Sequence, residues 1–362
     1  MKIKYYLNFK EENRISMEEY AQQLIDYQLN NYKEMEISSF RPKLSSFTKF
    51  ILNEKLKMRY ARYLSYPSQV KKLRKQDLSH ICDQQYGHLC SSLNSKVKII
   101  TVNDLVPIVL QKQIAHKPYL LKYSLSKLKY YDRIIAISET TKKDILKYTD
   151  CPEEKITVLL RVVDPFFDNK PINESEICNL YSLPKDKIKI LIEGNIFYKN
   201  NETSFKILRE LLQINKNIIF IKIGGHSDMT KFNDIKNKVY HLPFIEKDNL
   251  SDIYKICKIF LVPTIYTGGS LPIIESIKCG TPVVCSNTPA ILEIVKETAL
   301  TCDAFDVKTF TNNISSLLND ENLYQRKKKE SLERANYFNL SKYQDTLREI
   351  YRTEILNKNN LI

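Results

Sequence analysis

The sequence predicts an α/β fold of two Rossmann-like domains, and three observations carry the prediction. Short apolar runs alternate with amphipathic stretches, the runs are apolar on successive residues, and six of the seven glycines fall beside predicted strand ends in the second half. Strands apolar on both faces and joined by helices belong to a parallel sheet covered on both sides. At 362 residues the chain also exceeds the usual size of one hydrophobic core, which gives two domains.

In the first domain, strands are predicted at Lys2–Phe9, Val97–Asp104, Tyr131–Glu139 and Ile156–Val162, with helices at Glu18–Leu29 and Thr140–Tyr148, the latter opened by Ser138 and Thr140. Val162–Ile177, with two prolines, breaks the apolar rhythm and serves as linker. The boundary falls near residue 170, giving domains 1–170 and 171–340. The second domain has strands at Lys187–Gly194, Asn217–Gly225, Lys258–Thr264, Thr281–Asn287 and Thr298–Ala304, with amphipathic stretches such as Asn201–Asn215 and Asn249–Cys257 between them. Ser341–Leu356 forms one more amphipathic helix, and 341–362 is expected to pack back on the first domain.

Composition excludes several classes. The longest apolar runs fall far short of the roughly 20 residues that span a bilayer, and the start has no apolar core of signal-peptide length, so the protein is expected in the cytoplasm. Eight cysteines form no CxxC pair, which indicates neither a zinc site nor a disulfide framework. The formal charge of +14 calls for an anionic partner or reflects lysine enrichment on the surface. No nucleic-acid motif accompanies it, so nucleic acid is not expected as a partner.

The chemistry concentrates in TGGSLPIIESIKCGTPVV, Thr267–Val284. Gly268 and Gly269 lead into a helix that Pro272 can open, and the amides of Gly269, Ser270, Ile273 and Ile274 are placed to meet an anion at the positive end of that helix. Glu275, one turn in, either offsets the helix dipole or accepts hydrogen bonds from sugar hydroxyls.

The order LVPT, TGGSLPIIESIKCGTPVVCSN, PAILEIV resembles the nucleotide-sugar loop of the retaining glycosyltransferases of family 4, which have the two-domain GT-B fold with a cleft between the domains. EGNIFYKNN (Glu193–Asn201) resembles that family's Gly-Asn or Gly-Arg loop ending in Lys-Asn. DLSHICDQQYGHL and IITVNDLVPI resemble its acceptor-side loops, and IIAISETTKKDILKY with EEKITVLLRVVDPFF its interdomain segment. The resemblance implies a hexosyltransferase-type enzyme that needs no metal and no cofactor, with the nucleotide sugar as co-substrate. It acts on a glycan or lipid-linked acceptor in cell-surface polysaccharide or lipopolysaccharide synthesis. Glu275 then contacts the donor ribose, Lys199 pairs with the diphosphate, and Asn195 with Gly268, Gly269, Ser270 and Leu271 completes the donor site. A lysine and helix-terminal amides neutralise charge that a metal ion handles elsewhere.

Three departures separate the chain from the family pattern. Thr267 stands at the family's first glutamate, Asn103 where many members have histidine, and the loop after the first strand has no glycine. In the family the leaving phosphate is thought to take the acceptor proton, so neither Asn103 nor Thr267 need be a base; Asn103, Asp104 and Thr267 are the catalytic-site candidates. Asp83 and His88 are acceptor-side candidates, His88 alternatively a structural histidine. The departures also motivate a second reading, a catalytically impaired GT-B protein that binds nucleotide or glycan.

Lys49–Gln76 holds nine basic residues against Glu54, with Phe50, Ile51, Leu52, Leu56, Tyr60, Tyr63 and Leu64 at near-helical spacing. Such a helix either lies on an anionic membrane surface, peripheral to the inner face of the plasma membrane, or packs its apolar face on its own domain.

Overall fold

The computed structural model describes residues 1–51, 53–114 and 118–360. The chain divides into two compact units, one comprising Met1–Leu160 with Ser341–Ile362 and the other Arg161–Leu340. The change of unit thus comes at Arg161 rather than near residue 170. Its physical basis is that β6 (Ile156–Val158) closes the first sheet, and the following Val162, Val163 and Phe167 are buried.

The first unit is built on six parallel strands in the order β2-β1-β3-β4-β5-β6. Besides β6 they are β1 (Lys2–Tyr6), β2 (Glu36–Phe40), β3 (Gln76–Ile81), β4 (Ser95–Val102) and β5 (Arg133–Ala136). The second unit repeats the plan as β12-β11-β10-β7-β8-β9. These strands are β7 (Ile188–Glu193), β8 (Ile218–Ile223), β9 (Val239–Leu242), β10 (Ile259–Val262), β11 (Val283–Ser286) and β12 (Leu300–Cys302). The chain order reverses between β1 and β3 in one sheet and between β7 and β10 in the other. At such a switch point the loops beyond the strand ends part in opposite directions and leave a crevice.

Strands β2, β3 and β9 were not expected from the sequence. β2 and β9 are edge strands and only part-buried, so their apolar signal is weak. β3 is central, yet reads QDLSHI, because its buried polar side chains are satisfied from elsewhere. His80 bonds Thr101 Oγ1 at 2.8 Å through Nε2, and its Nδ1 meets the Tyr351 hydroxyl. Tyr351 belongs to the helix Leu340–Asn360, whose Tyr343, Gln344 and Leu347 are also buried. Tyr351 Oη meets Tyr5 Oη at 2.9 Å, and Tyr343 Oη meets Tyr20 Oη at 2.9 Å. Arg133 adds a bond to Glu354. The C-terminal helix is therefore part of the first unit.

The basic segment is helical over Glu54–Tyr60 and Tyr66–Lys71, joined by a wider turn at Ala61–Ser65. Leu52 and the side chain of Lys49 lie outside the described residues. Its Ala61, Tyr66 and Val70 are buried while Phe50, Leu56 and Leu64 are exposed. The segment thus packs one set of apolar residues inward and shows another to solvent. Arg62 is turned in on Glu12 at 2.6 Å, whereas Lys55, Arg59, Lys71, Lys72, Arg74 and Lys75 are exposed.

Candidate active site

At the switch point of the second sheet, the loop after β7 meets the loop after β10. β7 ends at Glu193, and the chain turns at Gly194 with φ 72°. A Cβ at Gly194 would stand 3.0 Å from Lys199 Cγ, so the glycine leaves the space across which the lysine lies. One short turn, Phe197–Lys199, leads to Asn200, whose backbone is left-handed at φ 59°. Its buried side chain donates to the carbonyls of Pro263 at 3.0 Å and Ala304 at 2.8 Å, tying the loop to the ends of β10 and β12. Lys199 is thereby held by its neighbour, and its ammonium pairs with the Glu193 carboxylate. Asn195 lies over Gly225 beyond β8, where a Cβ would fall 2.2 Å from Asn195 Nδ2.

Beyond β10 the chain runs through Pro263 and Thr264 to Thr267, Gly268 and Gly269. The Thr267 hydroxyl both bonds the Gly269 carbonyl and accepts from the Gly269 amide at 3.2 Å. This changes two expectations about the cradle. The Gly269 amide is engaged by Thr267, and the Ile274 amide is engaged by the Ser270 carbonyl at 3.4 Å. The helix spans Leu271–Lys278, which puts Pro272 at its second position, where an N–H would also lack a partner. Among the described residues the amides of Ser270, Leu271 and Ile273 have no backbone partner. Ser270 is 5% exposed, and its Oγ is buried without a hydrogen bond. A buried hydroxyl and a row of helix-terminal amides with nothing to bond describe a place for an anion.

Glu275 accepts a hydrogen bond of 2.8 Å from the Tyr254 hydroxyl. Burial, and then the charge of Glu275, raise the Tyr254 phenol well above its ordinary range, so it stays protonated and donates. The structure thus brings Asn195, Lys199, Thr267, Gly268, Gly269, Ser270, Leu271 and Glu275 to one sheet edge.

The first sheet's edge is closed by side chains. Asp83, fully buried beyond β3, accepts from Asn8 Nδ2 at 2.9 Å and from the Gln85 amide at 2.9 Å, and pairs with Arg14 at 2.8 Å. Asn103, beyond β4, donates its amide to Gln84 Oε1 at 3.0 Å and its Nδ2 to the Cys82 carbonyl at 3.1 Å, while its Oδ1 is buried without a partner. Asp104 accepts from the Val106 amide at 3.1 Å, and burial raises its carboxyl. Gln84 links the group by also donating to the Asp104 carbonyl. His88 is not part of it. Its Nε2 bonds the Arg62 carbonyl at 2.9 Å and its Nδ1 the Ser124 hydroxyl at 3.0 Å, and burial lowers it to about 4, so it is a neutral structural histidine.

Glu193, Asn200, Tyr254 and Arg14 were not singled out from the sequence. Glu193 and Asn200 flank Lys199 in EGNIFYKNN, but which neighbour carries and which pairs depends on three strand ends meeting. Among the described residues, no group of three or more His, Cys, Asp or Glu side chains is placed to hold a metal ion.

The pattern of the family described as glycosyl transferases group 1 matches residues 175–334. A serotype-specific mannosyltransferase of Escherichia coli, WbdA, is 24% identical over 258 residues, covering 66% of this chain and 31% of that protein. The O-antigen chain mannosyltransferase RfbU of Salmonella typhimurium is 25% identical over 228 residues, covering 60% of each. The chain spans about a third of the length of the first of these relatives. Among solved structures, sucrose-phosphate synthase from Thermosynechococcus elongatus superposes with a TM-score of 0.76 at 16% identity, covering 98% of both chains. Anabaena HepE in complex with UDP-glucose gives 0.75 at 13% identity, covering 98% of this chain and 100% of that one. The fold is GT-B.

Proposed function

We infer that this chain, whose residues 175–334 belong to the glycosyl transferases of group 1, moves a hexose from a nucleotide sugar to a glycan or lipid-linked acceptor with retention at the anomeric carbon. The observation that carries the reading is the anion place at the β7–β10 switch point. There the loop after β7 brings Lys199 to the same sheet edge as the loop after β10, whose Ser270 hydroxyl and Ser270, Leu271 and Ile273 amides lack partners, with Glu275 one turn further on. Lys199 and these amides bind the diphosphate and stabilise it as it leaves, without a metal ion, and Glu275 takes a ribose hydroxyl. Asn103, with an unbonded buried oxygen, and Asp104 are the polar groups at the catalytic position. The mannosyltransferase relatives support a sugar-polymer acceptor of the O-antigen or lipopolysaccharide kind.

The test is binding. Lys199→Ala should raise the Kd for a nucleoside diphosphate by about tenfold or more and leave that for the free nucleoside nearly unchanged, because the lost partner bonds phosphate. Equal losses for both ligands would remove the lysine from the phosphate site. Thr267, with its hydroxyl closed on Gly269 where the family has a carboxylate, favours a second reading as an impaired binding protein. Release of free sugar from a nucleotide sugar supports the enzyme, and binding without turnover supports the alternative.

Arg59 lines a hollow of about 550 Å³ with Leu56, Tyr60, Tyr63, Leu64 and Pro118, and Lys55, Lys71, Lys72, Arg74 and Lys75 are exposed on the same segment. An apolar hollow on an exposed basic segment suits peripheral attachment to an anionic bilayer, at about 1 kcal/mol per basic residue near the surface. No helix among the described residues is long and apolar enough to cross a membrane. Vesicles containing anionic lipid should bind the protein in a salt-sensitive way, and changing Lys71, Lys72, Arg74 and Lys75 to Ser should abolish the preference over neutral vesicles. Equal, negligible binding to both at low salt would leave a soluble acceptor.

A further inference from the structure

Lys199 already has an anion within this chain. Its ammonium is paired with Glu193, and the two side chains are 20% and 19% exposed, so the pair is neither free in solvent nor sealed in the core. The lysine's position does not depend on that pair. Gly194 leaves the space for its chain and Asn200 fixes the loop that carries it. Glu193 is therefore not needed to place the lysine, yet it neutralises the ammonium that the loop after β7 brings to this sheet edge. A second cation lies near the same carboxylate. Lys222 is 2% exposed and donates to the Gly225 carbonyl; burial lowers its ammonium to about 8, and the Glu193 charge offsets only part of that fall.

We propose that Glu193 is a place-holding carboxylate that occupies Lys199 between turnovers, yields it to the donor diphosphate, and reclaims it as the nucleoside diphosphate product leaves. The proposal rests on the glycosyltransferase reading above. One ammonium cannot satisfy a carboxylate and a diphosphate at full strength, and the diphosphate carries the greater charge, so it displaces the carboxylate. After transfer the product bears one more negative charge than it had within the donor, and an uncompensated lysine would hold it. A carboxylate beside that lysine lowers the affinity for every anion there and speeds the release step, which sets the rate in many transferases. Glu193 thus acts by competing for the Lys199 ammonium and touches neither the substrate nor the reacting atoms, so it is not a catalytic residue.

Calorimetric titration of wild type, Glu193→Gln and Glu193→Asp with UDP, GDP, uridine and guanosine tests this. Glu193→Gln should bind the preferred diphosphate about fivefold more tightly, with nucleoside affinity unchanged. Its turnover should be inhibited more strongly by the same diphosphate. Both gains should shrink in about 0.5 M salt. Unchanged or weaker diphosphate binding by Glu193→Gln would overturn the proposal and make Glu193 a strap that orients Lys199. Should Glu193→Gln fail to fold, Glu193→Asp, which keeps the charge but shortens the reach, must show a smaller tightening, and its absence overturns the proposal equally. If wild type binds neither diphosphate, the glycosyltransferase reading itself falls and the role of Glu193 with it. A wild type that binds while neither variant tightens removes only the role of Glu193.

Discussion

The carboxyl edges of the two sheets solve the same geometric problem in opposite ways. The second edge is shaped by backbone: glycines at 194, 224 and 225 let loops approach closely, and amides at the start of the Leu271–Lys278 helix stay unbonded. The first edge is shaped by side chains, with Asn8, Arg14, Asp83, Gln84 and Asn103 bonding one another. A backbone-built edge keeps hydrogen-bonding capacity for a ligand. A side-chain-built edge spends most of that capacity internally, and changing a few residues can alter what it admits. The difference teaches that two copies of one architecture can divide the work, one leaving backbone groups open and the other closing itself with side chains.

If that contrast is right, damage to the first edge should show as lost stability and damage to the second as lost binding. The largest effect is expected at Asp83. Asp83→Ala leaves Arg14, Asn8 and the Gln85 amide without their buried acceptor, and should cost about 3–5 kcal/mol in urea unfolding. A loss below about 1 kcal/mol would break the contrast.

Glu275 sharpens it from the other side. Glu275→Gln keeps an acceptor for Tyr254 and should lower nucleotide affinity by about 1.5–3 kcal/mol with little change in Tm. Glu275→Ala should lose that affinity and also melt lower, since it leaves the Tyr254 hydroxyl unbonded. If Glu275→Gln binds like wild type, the residue only supports the helix and Tyr254.

A further effect is acid sensitivity from the buried histidines of the first unit. Burial lowers His80 to about 3 and His88 to about 4. Both are below the unfolded value, so the unfolded chain binds more protons and stability falls as pH drops from about 6.5 toward those values. The slope is at most about 1.4 kcal/mol per pH unit for each histidine. Urea unfolding at pH 7 and pH 5 should show the fall, and His80→Gln should be less stable at pH 7 but flatter with pH. An unchanged slope would show that His80 does not report on the core of the first unit.

The second unit was far more legible in the sequence than the first, and the reason lies in where partners come from. β7, β8 and β10 are recognisable because IKILIE, IIFIKI and IFLV are buried among other apolar residues, so each strand carries its own signal. β3 carries none, since His80 is acceptable in a sheet interior only because Tyr351, 271 residues later, bonds it. In the candidate site, the loop from Thr267 to Glu275 was readable because its function depends on local chain geometry. The occupation of Gly269 by Thr267, the pairing of Lys199 with Glu193 and the anchoring by Asn200 depend on side-chain directions and on carbonyls up to 104 residues away. His88 could equally have been functional or structural from sequence, and two hydrogen bonds decide it.

The return of the last helix to the first unit also sets an order of events at the ribosome. Arg161–Leu340 is one uninterrupted piece of chain and has everything its sheet needs once it has emerged. The first unit is synthesised earlier but must wait, with Tyr5, Tyr20 and His80 lacking the hydroxyls of Tyr343 and Tyr351, until the final helix leaves the exit tunnel. Birth order and completion order are therefore reversed. A nascent chain halted before Leu340 holds a finished second unit and an unfinished first unit with polar groups exposed, a species that quality-control proteases can tell from the mature protein.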